Sequence, residues 1–304
     1  MDSQILQKAK NWVNNPAFEP TDRAPIQELI NALPSSESEL VDRFYRGLEF
    51  GTGGMRGILA MGENRINRYT VRRASQAFIE TLIKYFPKNG KIVVSYDSRH
   101  GSREFAEETC AVAAAHGVQA LIFPVLAPTP MLSFAIRHFG AQGGVMVTAS
   151  HNPPKYNGYK VFWNDGAQVV TPIDAEIVKR YDELNDWSAL KSMPFAEGKS
   201  KGLIKDTDGT VLEAFYRIVE DKVILNRELC RQHGHELKVV YTPLHGVGLV
   251  PCETIAARLG FSNFKSLKSQ AMPDPNFSTV AYPNPEDPAA LKLSVDEMLA
   301  TKAD

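Results

Sequence analysis

Cysteine is scarce in this 304-residue sequence: Cys110, Cys230 and Cys252 are odd in number and far apart. They lack metal-ligand spacing, which excludes a disulfide framework and points to reduced thiols in a cytoplasmic protein. An excess of one charge is also missing, with Lys+Arg 34 against Asp+Glu 35 and a net charge of -1. That balance offers no footing for nucleic acid or an anionic membrane surface. No apolar run is long enough to cross a bilayer. Near the N-terminus Ile5, Leu6, Ala9, Trp12 and Val13 share one helical face, unlike the unbroken apolar core of a signal sequence.

What is present is an ordinary globular composition, 43% hydrophobic and 23% charged, with room for about two domains at roughly 150 residues each. Two helices, separated by a turn-rich stretch from Pro16 to Pro20, precede a glycine cluster, Gly51-Thr52-Gly53-Gly54-Met55-Arg56-Gly57, which reads as a loop. The spacing of Val71, Ala74, Phe78 and Leu82 predicts a helix. Strands are expected over 91–96, 119–125 and 144–148, with helices over 102–116 and 130–139 between them. Such alternation implies parallel crossovers and a layered α/β domain. Residues 160–163, followed by a turn at Asn164-Asp165-Gly166, should add an antiparallel edge.

The chain turns small and polar around 193–205, which divides it into units 1–202 and 203–304. In the second, a helix over 212–223 leads to a strand over 237–241, the loop Thr242-Pro243-Leu244-His245-Gly246-Val247-Gly248 and another helix, echoing residues 91–116. A proline-rich segment then reaches a last helix, capped by Asp287 with Pro288 at its first position and Leu291, Val295, Met298 and Leu299 inward. A helix in this position should return to a strand, so the second unit reads as cut off before completion.

The strongest chemical signal is Thr148-Ala149-Ser150-His151-Asn152-Pro153-Pro154, continued by Asn157-Gly158-Tyr159-Lys160. An apolar strand delivers a serine hydroxyl to a loop, and two prolines stop the ladder behind it. Strand ends of this kind are where α/β proteins place reacting groups. A serine hydrolase is disfavoured, although His151, Asp97 and Asp165 exist, because adjacent side chains in extended backbone point apart and Ser150 does not sit in Gly-x-Ser-x-Gly. Nucleotide binding at the Gly51 cluster fails as well: Arg56 occupies the third glycine position of a dinucleotide fingerprint, and no Gly-Lys-Ser/Thr closes that cluster as a P-loop.

The Ser150 run closely resembles the phosphoserine loop of the α-D-phosphohexomutases, the phosphoglucomutase/phosphomannomutase family. Three more segments agree in order: Phe50 to Gly57, Tyr96-Asp97-Ser98-Arg99, and Thr242 to Gly246. The resemblance implies two similar layered α/β domains with mixed sheets between helices, the second truncated. It also implies a cytoplasmic mutase that moves phosphate between C1 and C6 of glucose or mannose phosphate through a phosphoserine and a sugar 1,6-bisphosphate. Phosphopentomutase is the alternative within the family, and a non-catalytic sugar-phosphate-binding fragment the alternative outside catalysis.

Roles follow from the resemblance residue by residue. Ser150 would carry the phosphoryl group and offer Mg2+ one oxygen through it. Lys160 would move the proton of the sugar hydroxyl or stand as a solvated strand lysine. His151 would assist the transferred group or order the loop. Arg56 would fork onto phosphate or pair with a carboxylate such as Asp97. Asn152, Asn157, Asp97 and Arg99 would support the substrate or the loop, and His245 would order its own loop. The family's Asp-x-Asp-x-Asp-Arg magnesium loop is not found and would be expected beyond residue 304, as would its third- and fourth-domain loops. The expected partners are small-molecule sugar phosphates, with neither nucleic acid nor membrane, and the oligomeric state is left open.

Overall fold

Three helices lead the chain in the computed structural model, which describes residues 2–88 and 90–304. They are α1 (Ser3–Asn14), α2 (Pro20–Asn31) and α3 (Glu37–Phe44). Asp2 starts α1 by accepting the Gln4 amide at 2.8 Å. Leu40 and Phe44 lie one turn apart on α3 and bury themselves against Trp12, Phe18, Ile26 and Tyr69. Trp12 stacks on Phe18 at 4.1 Å between ring centroids. Only two helices were expected here; α3 is 8 residues long, and its short apolar stripe gives a weak periodic signal.

The glycine cluster does not remain a loop. Its second half is strand β1 (Gly54–Ile58), followed by α4 (Arg68–Tyr85), β2 (Lys91–Tyr96), α5 (Ser102–Ala115), β3 (Gln119–Ile122), α6 (Thr129–His138), β4 (Gly143–Val147) and β5 (Tyr156–Trp163). Glycine is what makes β1 possible: a Cβ on Gly54 would lie 2.1 Å from the Tyr159 carbonyl oxygen, and Gly54 has φ +157. Helix α7 (Ile173–Glu183), helix α8 (Phe195–Ser200) and strand β6 (Ile204–Asp206) complete this part.

The sheet order is β1-β5-β4-β2-β3-β6. Strands β2, β3, β4 and β6 are parallel, while β5 is antiparallel to both β4 and β1. The expected antiparallel strand is therefore interior, and β1 takes the edge. Strand β6 pairs with β3, so the first sheet runs on to Asp206, past the division expected after residue 202. Alternate residues face opposite layers. Ile92 and Val94 pack with Phe78, Val112 and Ile177 on one side, and Val93, Met146 and Phe162 with Met131, Leu132 and Tyr216 on the other.

The second unit opens with α9 (Thr210–Ile218), which widens into a π-helical turn over Val219–Val223, and α10 (Arg227–His233). Strand β7 (Val239–Tyr241), helix α11 (Leu249–Arg258) and strand β8 (Phe264–Ser266) form a parallel crossover, as β2, α5 and β3 do in the first. Helices α12 (Lys268–Ala271) and α13 (Pro288–Thr301) follow, and Asp287 caps α13 by accepting the Ala289 amide at 2.9 Å. The expected inner face of α13 is only half realised: Leu291 and Met298 are partly buried, whereas Val295 is 44% and Leu299 67% exposed. Ala290 is the fully buried position instead.

Candidate active site

Strand β4 is buried along its whole length and delivers Thr148, Ala149 and Ser150 to its C-terminal end. There the backbone turns sharply, with Ser150 in the left-handed region at φ 56. Non-glycine residues rarely adopt this conformation, and it persists only where surrounding contacts fix it. Two contacts do so. The Ser150 amide donates to Thr148 Oγ1 at 2.8 Å, and Arg99 donates to the Ser150 carbonyl at 2.8 Å.

Arg99 in fact holds the entire loop. Its guanidinium also donates to the carbonyls of Asn152, Pro153 and Tyr156. The Arg99 side chain is fully buried, with Nε 3.4 Å from Asp97 Oδ2. Asp97 accepts from Ser102 Oγ at 2.6 Å, from the Arg99 amide at 3.0 Å and from the Thr148 hydroxyl. Burial pushes the Asp97 carboxyl up, against the pull of these hydrogen bonds and of Arg99. Burial likewise pushes the Arg99 guanidinium down, against the pull of Asp97. The hydrogen bonds of the pair fix the geometry of the loop.

Asn157 and Asn152 belong to the same scaffold. Asn157 is fully buried and donates to His100 O and Ser102 Oγ, both at 2.9 Å, tying β5 to the loop after β2. Asn152 donates to the Ala149 carbonyl at 2.8 Å and closes the Ser150 turn. Their side-chain amides are thereby committed to the protein.

Ser150 and His151 open into a cleft of about 440 Å³ between the two units, walled by Thr129, the Tyr241–Gly248 loop, Pro283 and Pro285. His151 Nδ1 is 3.3 Å from Ser150 Oγ, and its ring meets Tyr282 edge-on at 6.5 Å. Helices α6 and α11 both begin at the cleft wall, at Pro128 and Gly248, and neither has a side-chain cap. Pro130 and Pro251 leave few N–H groups in these first turns, but the positive end of each helix dipole faces the cleft, which suits an anion. Leu244, His245 and Phe277 also have positive φ, so four of the five such non-glycine residues among the described residues gather around this cleft. His245 orders its loop, with Nδ1 3.0 Å from Met272 O and Nε2 2.8 Å from Thr279 Oγ1.

Register places the remaining two candidates. Lys160 lies opposite Met146 and Gly54; Arg56 lies opposite Gly158, which neighbours Thr148. Both side chains therefore share the sheet face of Met146 and Thr148, and Arg56 sits two strands over, about 10 Å from Thr148. Neither makes an ion pair or hydrogen bond among the described residues, and Asp97 is taken by Arg99 instead of Arg56. Arg56 lines a neighbouring cavity of about 460 Å³ with Arg46, Arg65 and Tyr156, not the Ser150 cleft itself.

Magnesium finds no closed site among the described residues, which contain no group of three His, Cys, Asp or Glu side chains suited to a metal. The carboxylate that lines the cleft, Asp97, already accepts from three donors of the protein. Another signal leads nowhere: Gly198-Lys199-Ser200-Lys201-Gly202 fits Gly-x-Ser-x-Gly spacing, but Ser200 ends α8, and its hydroxyl donates to Glu197 O at 2.8 Å. A nucleophile elbow requires a strand before the serine.

Phosphoglucomutase/phosphomannomutase alpha/beta/alpha domain I matches residues 47–186, and alpha/beta/alpha domain II of that family matches residues 218–304. The chain belongs to the phosphoglucomutase/phosphomannomutase family. A phosphoglucomutase of Staphylococcus epidermidis is 34% identical over 286 residues, covering 94% of this chain and 50% of that protein. A Schizosaccharomyces pombe protein named probable phosphoribomutase is also 34% identical, covering 98% of this chain and 50% of that protein. The chain thus spans about half the length of the curated relatives it matches. A solved structure from Thermus thermophilus, assigned as a phosphomannomutase, is 25% identical with a TM-score of 0.69 over 83% of this chain and 52% of that one. Paramecium parafusin, at 19% identity and TM-score 0.63 over 86% of this chain and 49% of its own, shares the fold.

Within this phosphoglucomutase/phosphomannomutase frame, sequence reasoning missed Thr148 as the link from Asp97 to the Ser150 backbone. It also missed the wall contributed by Phe277, Tyr282, Pro283 and Pro285. Their segment carried one signal, proline density, which marks irregular backbone without saying what it packs against.

Proposed function

We propose that Ser150 is the phosphoryl carrier of a sugar-phosphate mutase. The observation behind this is the Ser150 turn itself: a strained, tightly held serine at the mouth of a cleft where two uncapped helix N-termini meet. Phosphoryl transfer asks mainly for positioning and charge stabilisation, and this arrangement offers both. In the first half-reaction the bond from phosphorus to Ser150 Oγ breaks and a bond to a sugar hydroxyl oxygen forms. The hydroxyl proton leaves to a nearby base, for which His151 and Lys160 are the candidates, and the departing Ser150 Oγ takes up a proton to become the free hydroxyl. The resulting bisphosphate turns over in the cleft and returns its other phosphoryl group to Ser150.

Glucose and mannose phosphates are the proposed substrates. The likeness to the fission-yeast protein keeps a pentose phosphate as a second reading. Phosphoserine brings a charge of about -1.5 to -2; Lys160, unpaired on the sheet face of Thr148, is the candidate to balance it, while Arg56 would act from the neighbouring cavity. Magnesium would add a Lewis acid at the transferred phosphate, with Ser150 contributing one oxygen through that phosphate. Because the described residues supply no carboxylate cluster for it, this 304-residue chain alone is expected to exchange phosphate at Ser150 without sustained turnover.

The test is incubation with glucose 1,6-bisphosphate followed by peptide mass spectrometry. One phosphate is expected on the peptide containing Ser150 and none in Ser150→Ala. Absence of phosphate on the wild-type peptide, or equal uptake by the variant, would overturn the assignment.

A further inference from the structure

Three consecutive residues after Asp97 each meet the second unit. Ser98 Oγ donates to the His245 carbonyl at 3.1 Å. His100 Nε2 lies 2.8 Å from Asn276 Oδ1. Between them, the Arg99 guanidinium carbon sits 4.8 Å from the centre of the Phe277 ring. Arg99 is the residue whose terminal donors go to carbonyls of the Ser150 loop. Its donors thus face the loop while its central carbon lies over an aromatic ring from the other unit.

A tight turn holds Phe277 there. Asp274 folds the segment, accepting the Asn276 amide at 2.9 Å and the Ser278 amide at 3.0 Å. The Phe277 amide donates to the Asp274 carbonyl at 3.1 Å. The turn forces Phe277 to φ 50, a costly conformation for a bulky side chain, yet the residue is only 5% exposed. A leucine would fill such a space about as well. An aromatic ring adds attraction for a cation that burial has stripped of water.

We propose that Phe277 is a positioning residue: seated on Arg99, it makes the second unit the backstop that keeps the Ser150 loop in its left-handed turn. The consequence for phosphoryl transfer rests on the reading of Ser150 given above; the mechanical link does not. Phe277 acts through Arg99, and the chain of contacts is short. Moving the second unit away from the loop after β2 removes the ring, loosens the guanidinium and releases four carbonyls at once.

Hydrogen exchange read by mass spectrometry on the intact chain separates this from plain packing. In Phe277→Leu, which keeps bulk but loses the π face, amides of residues 150–157 are expected to exchange roughly threefold to tenfold faster. Phe277→Tyr should stay near wild type, and Arg99→Lys, which keeps the charge but loses the fork, should exchange at least as fast as Phe277→Leu. Phosphate uptake at Ser150 from glucose 1,6-bisphosphate should slow in Phe277→Leu and recover in Phe277→Tyr. Equal loop exchange in the leucine and tyrosine variants would overturn the proposal, as would acceleration spread evenly over β7 and β8. If no variant and no wild-type protein takes up phosphate, the phosphoryl-carrier reading fails while the exchange contrast still decides the role of Phe277.

Discussion

The two units use the same strand–loop–helix–strand run and give it very different support. In the first, β2 and β4 lie inside a six-stranded sheet, with helices over both faces and nearly every side chain buried. In the second, β7 and β8 form a two-stranded sheet whose residues are all partly or fully exposed. Most of the large exposed apolar side chains also belong to the second unit, among them Leu225 at 104%, Met272 at 68% and Leu299 at 67%. A local motif therefore does not set its own stability. What matters is how many neighbours cover the strand's edges and faces, and a lone pair of strands is marginal in water.

The sharpest way to break this comparison is to separate the units. Residues 1–206, with the whole first sheet, are expected to unfold cooperatively and give dispersed NMR amide signals. Residues 207–304 alone are expected to show neither. The physical reason is that Val211 and Tyr216 of α9 complete a core whose other members include Val93, Met146 and Phe162 of the first sheet. A cooperative melt from the isolated second fragment would show that its own contacts suffice and that the contrast drawn here is wrong.

A smaller effect compares one substitution at two glycines. In Gly158→Ala the new methyl carbon would stand 2.4 Å from the Thr148 carbonyl oxygen, inside the interior pairing of β4 and β5. Neither backbone can withdraw without disturbing Ser150 and Lys160, so a loss of about 2–3 kcal/mol is expected in urea titration. In Gly209→Ala, at the start of α9, nothing lies within 4 Å of the added carbon. The change there should stay within about 0.5 kcal/mol. Equal losses at the two positions would mean that backbone crowding is not what distinguishes the interior of the first sheet.

How far the sequence could be read follows the same division. Apolar runs such as Ile92-Val93-Val94 and Val145-Met146-Val147 marked interior strands because a strand buried on both faces must be apolar throughout. The cut-off end of β3 and the half-exposed face of α13 were harder, since periodicity reports a potential face and not whether anything covers it. Gly54 misled because glycine signals a turn as readily as a strand that must pass close to another backbone. At the site, the serine and its basic neighbours stood out through their motif. The hold of Arg99 on four carbonyls did not, because backbone acceptors leave no trace in residue identity. The seat of Phe277 on Arg99 spans 178 positions of chain, and no local pattern reaches that far.

The finest contrast lies between two carboxylates. Burial raises Asp97 in the first unit, whereas in the second unit the Ser278 hydroxyl, then the Ser278 and Asn276 amides, hold Asp274 down at about 2 from its ordinary 3.8. The signs are opposite. A carboxyl with a raised pKa keeps its proton longer in the folded state, so acid does not weaken the fold through Asp97. A depressed one contributes stability that is complete above its unfolded value and is lost as pH falls through its folded value. Acidification from about 4 to about 2 should therefore loosen the Asp274 turn first and, with it, the seat of Phe277 on Arg99. Hydrogen exchange over residues 274–280, corrected for the intrinsic pH dependence, should show protection falling across that window in wild type. Asp274→Asn should begin with less protection at neutral pH and change little across the same window, because the amide has no proton to gain. A wild-type profile as flat as the variant's would show that the hydrogen bonds to Asp274 do not govern the turn.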